Sequence, residues 1–196
     1  MTMKKMIPFG ILFAASSLFA GPITYEVFMN GPSESPANAS PGTGVAVIII
    51  DSTANTLNIF SDTFSGLLGT TTASHIHCCT AAPGAGTAGV ATQTPSFSGF
   101  PLGVTSGTYS MIFDMTLAST WNPAFIVAEG GSPAGAEAAL VAGAAAGEAY
   151  LNIHSTVVPG GEIRGFLVQV PEPGTLSFAV AGLAGIFLAS RRRKAA

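Results

Sequence analysis

The chain has 196 residues, 48% of them hydrophobic and only 9% charged, which is enough for one domain with a sizeable core plus sorting segments. Six of its seven basic residues sit at the two ends, as Lys4, Lys5 and the run Arg191 to Lys194, so residues 21–173 carry ten acids against the single Arg164. A segment of that charge repels polyanions, which excludes nucleic acid as its partner.

Met1 to Ala20 places Lys4 and Lys5 before an apolar run from Ile7 to Phe19 that is too short for a stable span. Residues 1–20 therefore read as a secretory signal peptide removed after Ala20. Ile23 to Met29 then alternates as a first strand, with Ile23, Tyr25, Val27 and Met29 on one face. Asn30 to Gly44, rich in Pro, Ser, Gly and Asn, is a loop.

Val45 to Ile50 is a β-branched run ending at Asp51, and a turn over Ser52 to Asn55 leads it into Thr56 to Phe60, giving a central hairpin. Phe64 to Gly69 is expected to close a further strand. Over Thr70 to Cys79, period-two geometry puts His75 and His77 on one face and Ile76 on the other. Thr80 to Gly107 reads as long loops with one short strand near Val90 to Thr94. Thr108 to Leu117 is another strand, and Trp121, Pro123 and Phe125 follow in a segment that caps the core.

Ser132-Pro133 supplies an N-cap and a first-turn proline ahead of an Ala-rich run, which predicts one helix over roughly 133–146. Directly after it, Leu151 and Ile153 alternate with Asn152 and His154, Pro159-Gly160-Gly161 breaks the chain, and Ile163 alternates with Glu162 and Arg164. These are two strands joined by a turn, each with one apolar face and one face carrying the charges.

The tail has three parts in order. Pro171-Glu172-Pro173 precedes seventeen uncharged residues, 174–190, and these precede Arg191, Arg192, Arg193 and Lys194. At about 1.5 Å each, the seventeen reach roughly 26 Å, just enough for a bilayer core. The basic cluster holds the C-terminus on the cytoplasmic side and places everything before Pro171 outside.

Two resemblances rest on these residues. His75-Ile76-His77, Asn152-Ile153-His154-Ser155 and Gly160-Gly161-Glu162-Ile163-Arg164-Gly165 resemble the motifs of the CHRD domain, a module repeated in the extracellular protein chordin and found in bacterial secreted proteins. The family's Glu-x-Pro-Pro signature is reduced here to Ser33-Glu34-Ser35-Pro36. The resemblance spans roughly Ile23 to Val168 and implies an antiparallel β-sandwich and extracellular residence, with no general activity. The tail resembles the PEP-CTERM sorting signal of Gram-negative bacteria, which implies an exosortase-type processing enzyme as partner, transient anchoring in the inner membrane, and a destination at the cell envelope or surface, often beside exopolysaccharide.

The expected architecture is therefore all-β: a signal peptide at 1–20, a sandwich domain at 21–169, loosely like superoxide dismutase and carrying one inserted helix, and a sorting segment at 170–196. His75, His77 and His154 are the chain's only histidines. A His-x-His pair on one strand face plus a third imidazole can hold copper or zinc, and the same residues can equally serve as hydrogen-bonding struts for neighbouring loops. Cys78 and Cys79 admit a vicinal disulfide, pairing to another chain, or a role as soft ligands beside His77. Arg164 is expected to pair with Glu162 or another acid. No nucleophile elbow, phosphate loop or metalloprotease helix occurs. The expected role is a non-enzymatic surface or matrix module with protein or exopolysaccharide partners. The competing class is a copper- or zinc-binding metalloprotein.

Overall fold

A computed structural model describes residues 21–171. The expected leader at 1–20, Glu172 and Pro173 of the sorting motif, the expected span at 174–190 and Arg191, Arg192 and Arg193 lie outside the described residues. No helix among the described residues is long and apolar enough to cross a membrane.

The architecture is all-β and antiparallel. Its strands are β1 (Ile23–Asn30), β2 (Thr43–Asp51), β3 (Thr56–Ser65), β4 (Thr71–His77), β5 (Gly107–Asp114), β6 (Tyr150–Ser155), β7 (Ile163–Phe166) and β8 (Val168–Gln169). They form one continuous curled sheet in the order β4-β6-β7-β1-β2-β3-β5, with β8 alongside β1. Period-two alternation sends Tyr25, Val27 and Met29 of β1, Ala46, Ile48 and Ile50 of β2, and Leu57 and Ile59 of β3 into one apolar core. Ile76, Leu151, Ile153 and Ile163 join that core from β4, β6 and β7.

The central hairpin forms as expected. Oδ1 of Asp51 accepts the amides of Thr53 and Ala54, and Asn55 takes the left-handed conformation (φ 54°) that an asparagine tolerates best among non-glycine residues. The separate strand expected at Phe64 to Gly69 is corrected. Thr56 to Ser65 is a single strand whose register slips beside Val47/Ile48 and again opposite β5, so a bulge absorbs the irregular alternation at Phe60-Ser61. The short strand expected near Val90 to Thr94 reduces to two isolated bridges, His77 with Val90 and Thr92 with Trp121.

Two helices pack on the sheet, α1 (Pro123–Ala128) and α2 (Pro133–Ala145). Helix α2 starts as its sequence dictates, with the Ser132 hydroxyl accepting from the Gly135 amide at 3.1 Å and Pro133 in the first turn. It buries Ala136, Leu140, Gly143 and Ala144. Helix α1 has the same kind of start, Asn122 then Pro123, and buries Phe125 against Trp121.

Candidate metal centre

Register places the site. β4 pairs with β6 so that Ala73 faces His154, His75 faces Asn152 and His77 faces Tyr150. β6 pairs with β7 so that Asn152 faces Arg164 and Tyr150 faces Phe166. All these residues project from the face opposite the apolar core, because each alternates with a core residue such as Ile76, Leu151 or Ile153.

That charge-bearing face is buried as well: His75, His77, Asn152, Arg164, Tyr150 and Glu162 are all less than a tenth exposed. The physical reason lies in two loops that close over it through their backbone carbonyls. Ser33 and Gly86 accept hydrogen bonds from Arg164, and Ala88 accepts from His77. Loops of Gly, Ala and Ser carry little apolar surface of their own, so this second, polar layer leaves no hydrophobic pattern in the sequence.

The three histidines converge. His75 lies 4.8 Å from His77 and 4.6 Å from His154 between ring centroids, both edge-on, and His77 and His154 are 6.0 Å apart. One ring nitrogen from each falls within 4.8 Å of the other two. Ala73, opposite His154, is small enough to let that ring lean toward His75.

Hydrogen bonding fixes the tautomers. Nδ1 of His77 lies 2.8 Å from the Ala88 carbonyl and Nδ1 of His154 lies 2.9 Å from the Pro159 carbonyl. A carbonyl only accepts, so both Nδ1 atoms carry the proton and both Nε2 atoms present bare lone pairs. Those two Nε2 atoms, and Nδ1 of His75, are buried without a hydrogen-bond partner. Burial, reinforced by His77 and His154 close by, holds the His75 pKa down to about 3. Burial likewise lowers that of His77 to about 4 and lowers that of His154, against the hydrogen bonds to Ala88 and Pro159. The cluster is thus three neutral imidazoles with one ring nitrogen of each within 4.8 Å of the others, the protonation state a metal ligand requires.

The outer layer is ordered too. Tyr150 stacks on His77 at 4.7 Å and 5° between planes, and the Arg164 guanidinium lies 4.7 Å from the centroid of the Tyr150 ring. Arg164 pairs with Glu34 at 3.7 Å; of the acids expected, it is this one and not Glu162. Glu162 is claimed elsewhere, accepting from Ser40 Oγ, the Leu68 amide and the Gly69 amide. Sequence reasoning placed Arg164 among acids but missed Glu34, because the chain between them is long and only the loop's path brings them together.

Cys78 and Cys79 form a vicinal disulfide, so of the three readings this one holds and neither sulfur is a thiolate ligand. The two sulfurs rest on Gly143 of α2, where a Cβ would collide with both. The disulfide therefore packs the end of β4, one residue past His77, closely against the helix.

Comparison with known families agrees with this architecture. The CHRD domain model matches residues 25–167, and the PEP-CTERM protein-sorting motif matches residues 169–194. No curated protein and no solved structure matches the chain. The sorting signal marks it for an exosortase-type system and for export to the cell envelope or surface. By its matched residues and its antiparallel fold, the chain belongs to the CHRD-domain family and is an exosortase-sorted extracellular protein.

Proposed function

We propose that this exported protein binds a transition-metal ion, copper or zinc, through His75, His77 and His154. The observation that carries the reading is the set of buried, unpartnered ring nitrogens on His77 and His154, each left bare because the other nitrogen of its ring is tied to a backbone carbonyl. A strut histidine would use both nitrogens or leave one in water; a buried lone pair without a donor is costly unless something binds it. Metal-ligating histidines usually donate their other ring N–H to a carbonyl, carboxylate or water in this way. Bonds of about 2.1 Å hold trigonal nitrogens about 3.6 Å apart, so the widest pair closes by about 1 Å as the rings turn onto the ion.

These three residues would hold the ion, and the chain's own contribution is to orient them, exclude water and keep them neutral. The reading includes export by the leader at 1–20 and transient inner-membrane anchoring by 174–190 before processing near Pro171-Glu172-Pro173. A second reading, a module that docks exopolysaccharide or surface proteins, is favoured by the outward face of the sheet, where Phe28, Phe60 and Ile112 are each at least 60% exposed. The two are compatible.

The test is metal analysis of protein recovered from an oxidising compartment. About one equivalent of copper or zinc, lost in the triple His→Ala variant with its circular dichroism unchanged, is the expected result. Absence of metal after incubation with either ion, in protein shown to be folded, overturns it.

A further inference from the structure

We infer that the His75, His77 and His154 centre selects monovalent copper, Cu(I), over divalent ions; this rests on the metal-binding reading above and narrows it. The first ground is the donor set. Among the described residues the cluster consists of three imidazoles and no carboxylate. Of the neighbouring acids, Glu162 is engaged by Ser40, Leu68 and Gly69, and Glu34 pairs with Arg164 through Oε2; neither belongs to the cluster. The neighbouring sulfurs are locked as a disulfide. The groups that orient the rings, the Ala88 and Pro159 carbonyls, are neutral as well, where carboxylates often stand behind zinc-binding histidines.

The second ground is the charge that is present. Arg164 is 3% exposed and stacks on Tyr150, which stacks on His77, so a buried cation stands one aromatic ring behind a ligand. The cost of taking an ion out of water rises with the square of its charge, and repulsion from a fixed cation rises in proportion to it. A divalent ion held by neutral donors meets the first penalty in full, and the second to the extent that Glu34, 3.7 Å from Arg164, leaves the guanidinium's charge uncompensated. A monovalent ion meets about a quarter of the first and half of the second.

The third ground is reach. Nitrogens spread over as much as 4.8 Å suit an ion content with two or three ligands at wide angles better than a tetrahedral one, whose ligands stand about 3.4 Å apart at zinc bond lengths. Geometry and ligand type, more than raw affinity, set metal selectivity.

The experiment uses the full chain, purified in detergent and stripped of metal. Cu(I) is titrated anaerobically against a colorimetric Cu(I) chelator, and Zn(II) against a fluorescent zinc chelator, with Ag(I) as a redox-inert monovalent probe. The expected result is one equivalent of Cu(I) bound at least about 100-fold more tightly than Zn(II), and displaced one-for-one by Ag(I). The copper couple is expected at a potential above that of aqueous copper, each tenfold preference for Cu(I) over Cu(II) adding about 59 mV. Arg164→Met is expected to narrow the Cu(I)-to-Zn(II) ratio about tenfold, and the wild-type ratio decides the matter should that variant fold poorly. Zn(II) binding as tight as Cu(I), or a copper potential at or below the aqueous value, overturns the selectivity while leaving the metal centre standing. Binding of neither ion overturns both.

Discussion

Arg164 Nε lies 3.7 Å from Glu34 Oε2, with both side chains about a twentieth exposed or less, so residues from two family motifs at opposite ends of the domain meet in one buried pair. The pair is lopsided. Arg164 also donates to the Ser33 and Gly86 carbonyls, whereas burial raises the Glu34 pKa to about 7 despite the nearby guanidinium. Removing the arginine strands two loop carbonyls and an acid; removing the charge of the acid strands much less. Arg164→Ala is therefore expected to cost about 3–5 kcal/mol and Glu34→Gln less than about 2 kcal/mol. Equal losses in urea unfolding of the two variants would contradict this account of the pair.

Gly143 is held to glycine by sulfur. A Cβ there would run into Sγ of both Cys78 and Cys79, and a disulfide has no flexible end that can move aside. Gly143→Ala, ordinarily favourable by about 1 kcal/mol inside a helix, is expected to destabilise by about 1–3 kcal/mol instead. The check is a thermal melt of the variant alone and in a Cys78→Ala/Cys79→Ala background, where the penalty should shrink or reverse.

How far the sequence discloses this molecule depends on which physical signal each part leaves. Strands β1, β2, β4 and β6 are legible because Tyr25, Val27 and Met29, or Ile76 flanked by His75 and His77, alternate cleanly against a core. Helix α2 is legible from Ser132-Pro133 alone, while α1, equally well capped by Asn122, is too short to show a helical period. The three histidines were legible as a set, since strand periodicity aligns His75 with His77 and motif pairing brings in His154. Their burial was not legible, because it comes from loops of Ser, Gly and Ala whose backbone does the bonding. Glu34 and Asp62 escaped for a related reason: a buried acid looks like any other acid until its neighbours are placed.

Asp62 follows Phe60-Ser61 at the β3 bulge and is 1% exposed, with neither carboxylate oxygen bonded. Burial raises its pKa to about 7, from an ordinary 3.8. The folded protein therefore takes up a proton that the unfolded chain has already released at intermediate pH. The native state binds more protons than the unfolded one from about pH 4 to 7, so this residue makes stability fall as pH rises through that window, with no further change above it. Asp62→Asn removes the effect. Its stability relative to wild type should increase steadily from pH 4 to 7, by something on the order of 1–4 kcal/mol, and then level off. Paired urea titrations across that range are the measurement. A difference that stays constant with pH would show that the carboxyl is solvated or paired.

Ala73 offers the sharpest separation of the fold from the proposed metal centre. It is the register partner of His154, and partners on one face of an antiparallel pair hold their Cβ atoms about 4.5–5.5 Å apart. The His154 ring leans across this position to within 4.6 Å of His75, while its Nδ1 remains tied to Pro159. Valine suits a strand and Ala73 is only half-buried, so Ala73→Val should change stability by less than about 1 kcal/mol. Its added methyls occupy the space the ring leans through and push His154 away from His75. Metal affinity is then expected to fall at least about tenfold, as it does when groups that orient a ligand are disturbed, with the melting temperature nearly unchanged. Isothermal titration of wild type and variant with the same ion measures it. Unchanged affinity would mean that His154 reaches the centre by another path, and a parallel loss of stability would mean that Ala73 serves the fold before it serves the site.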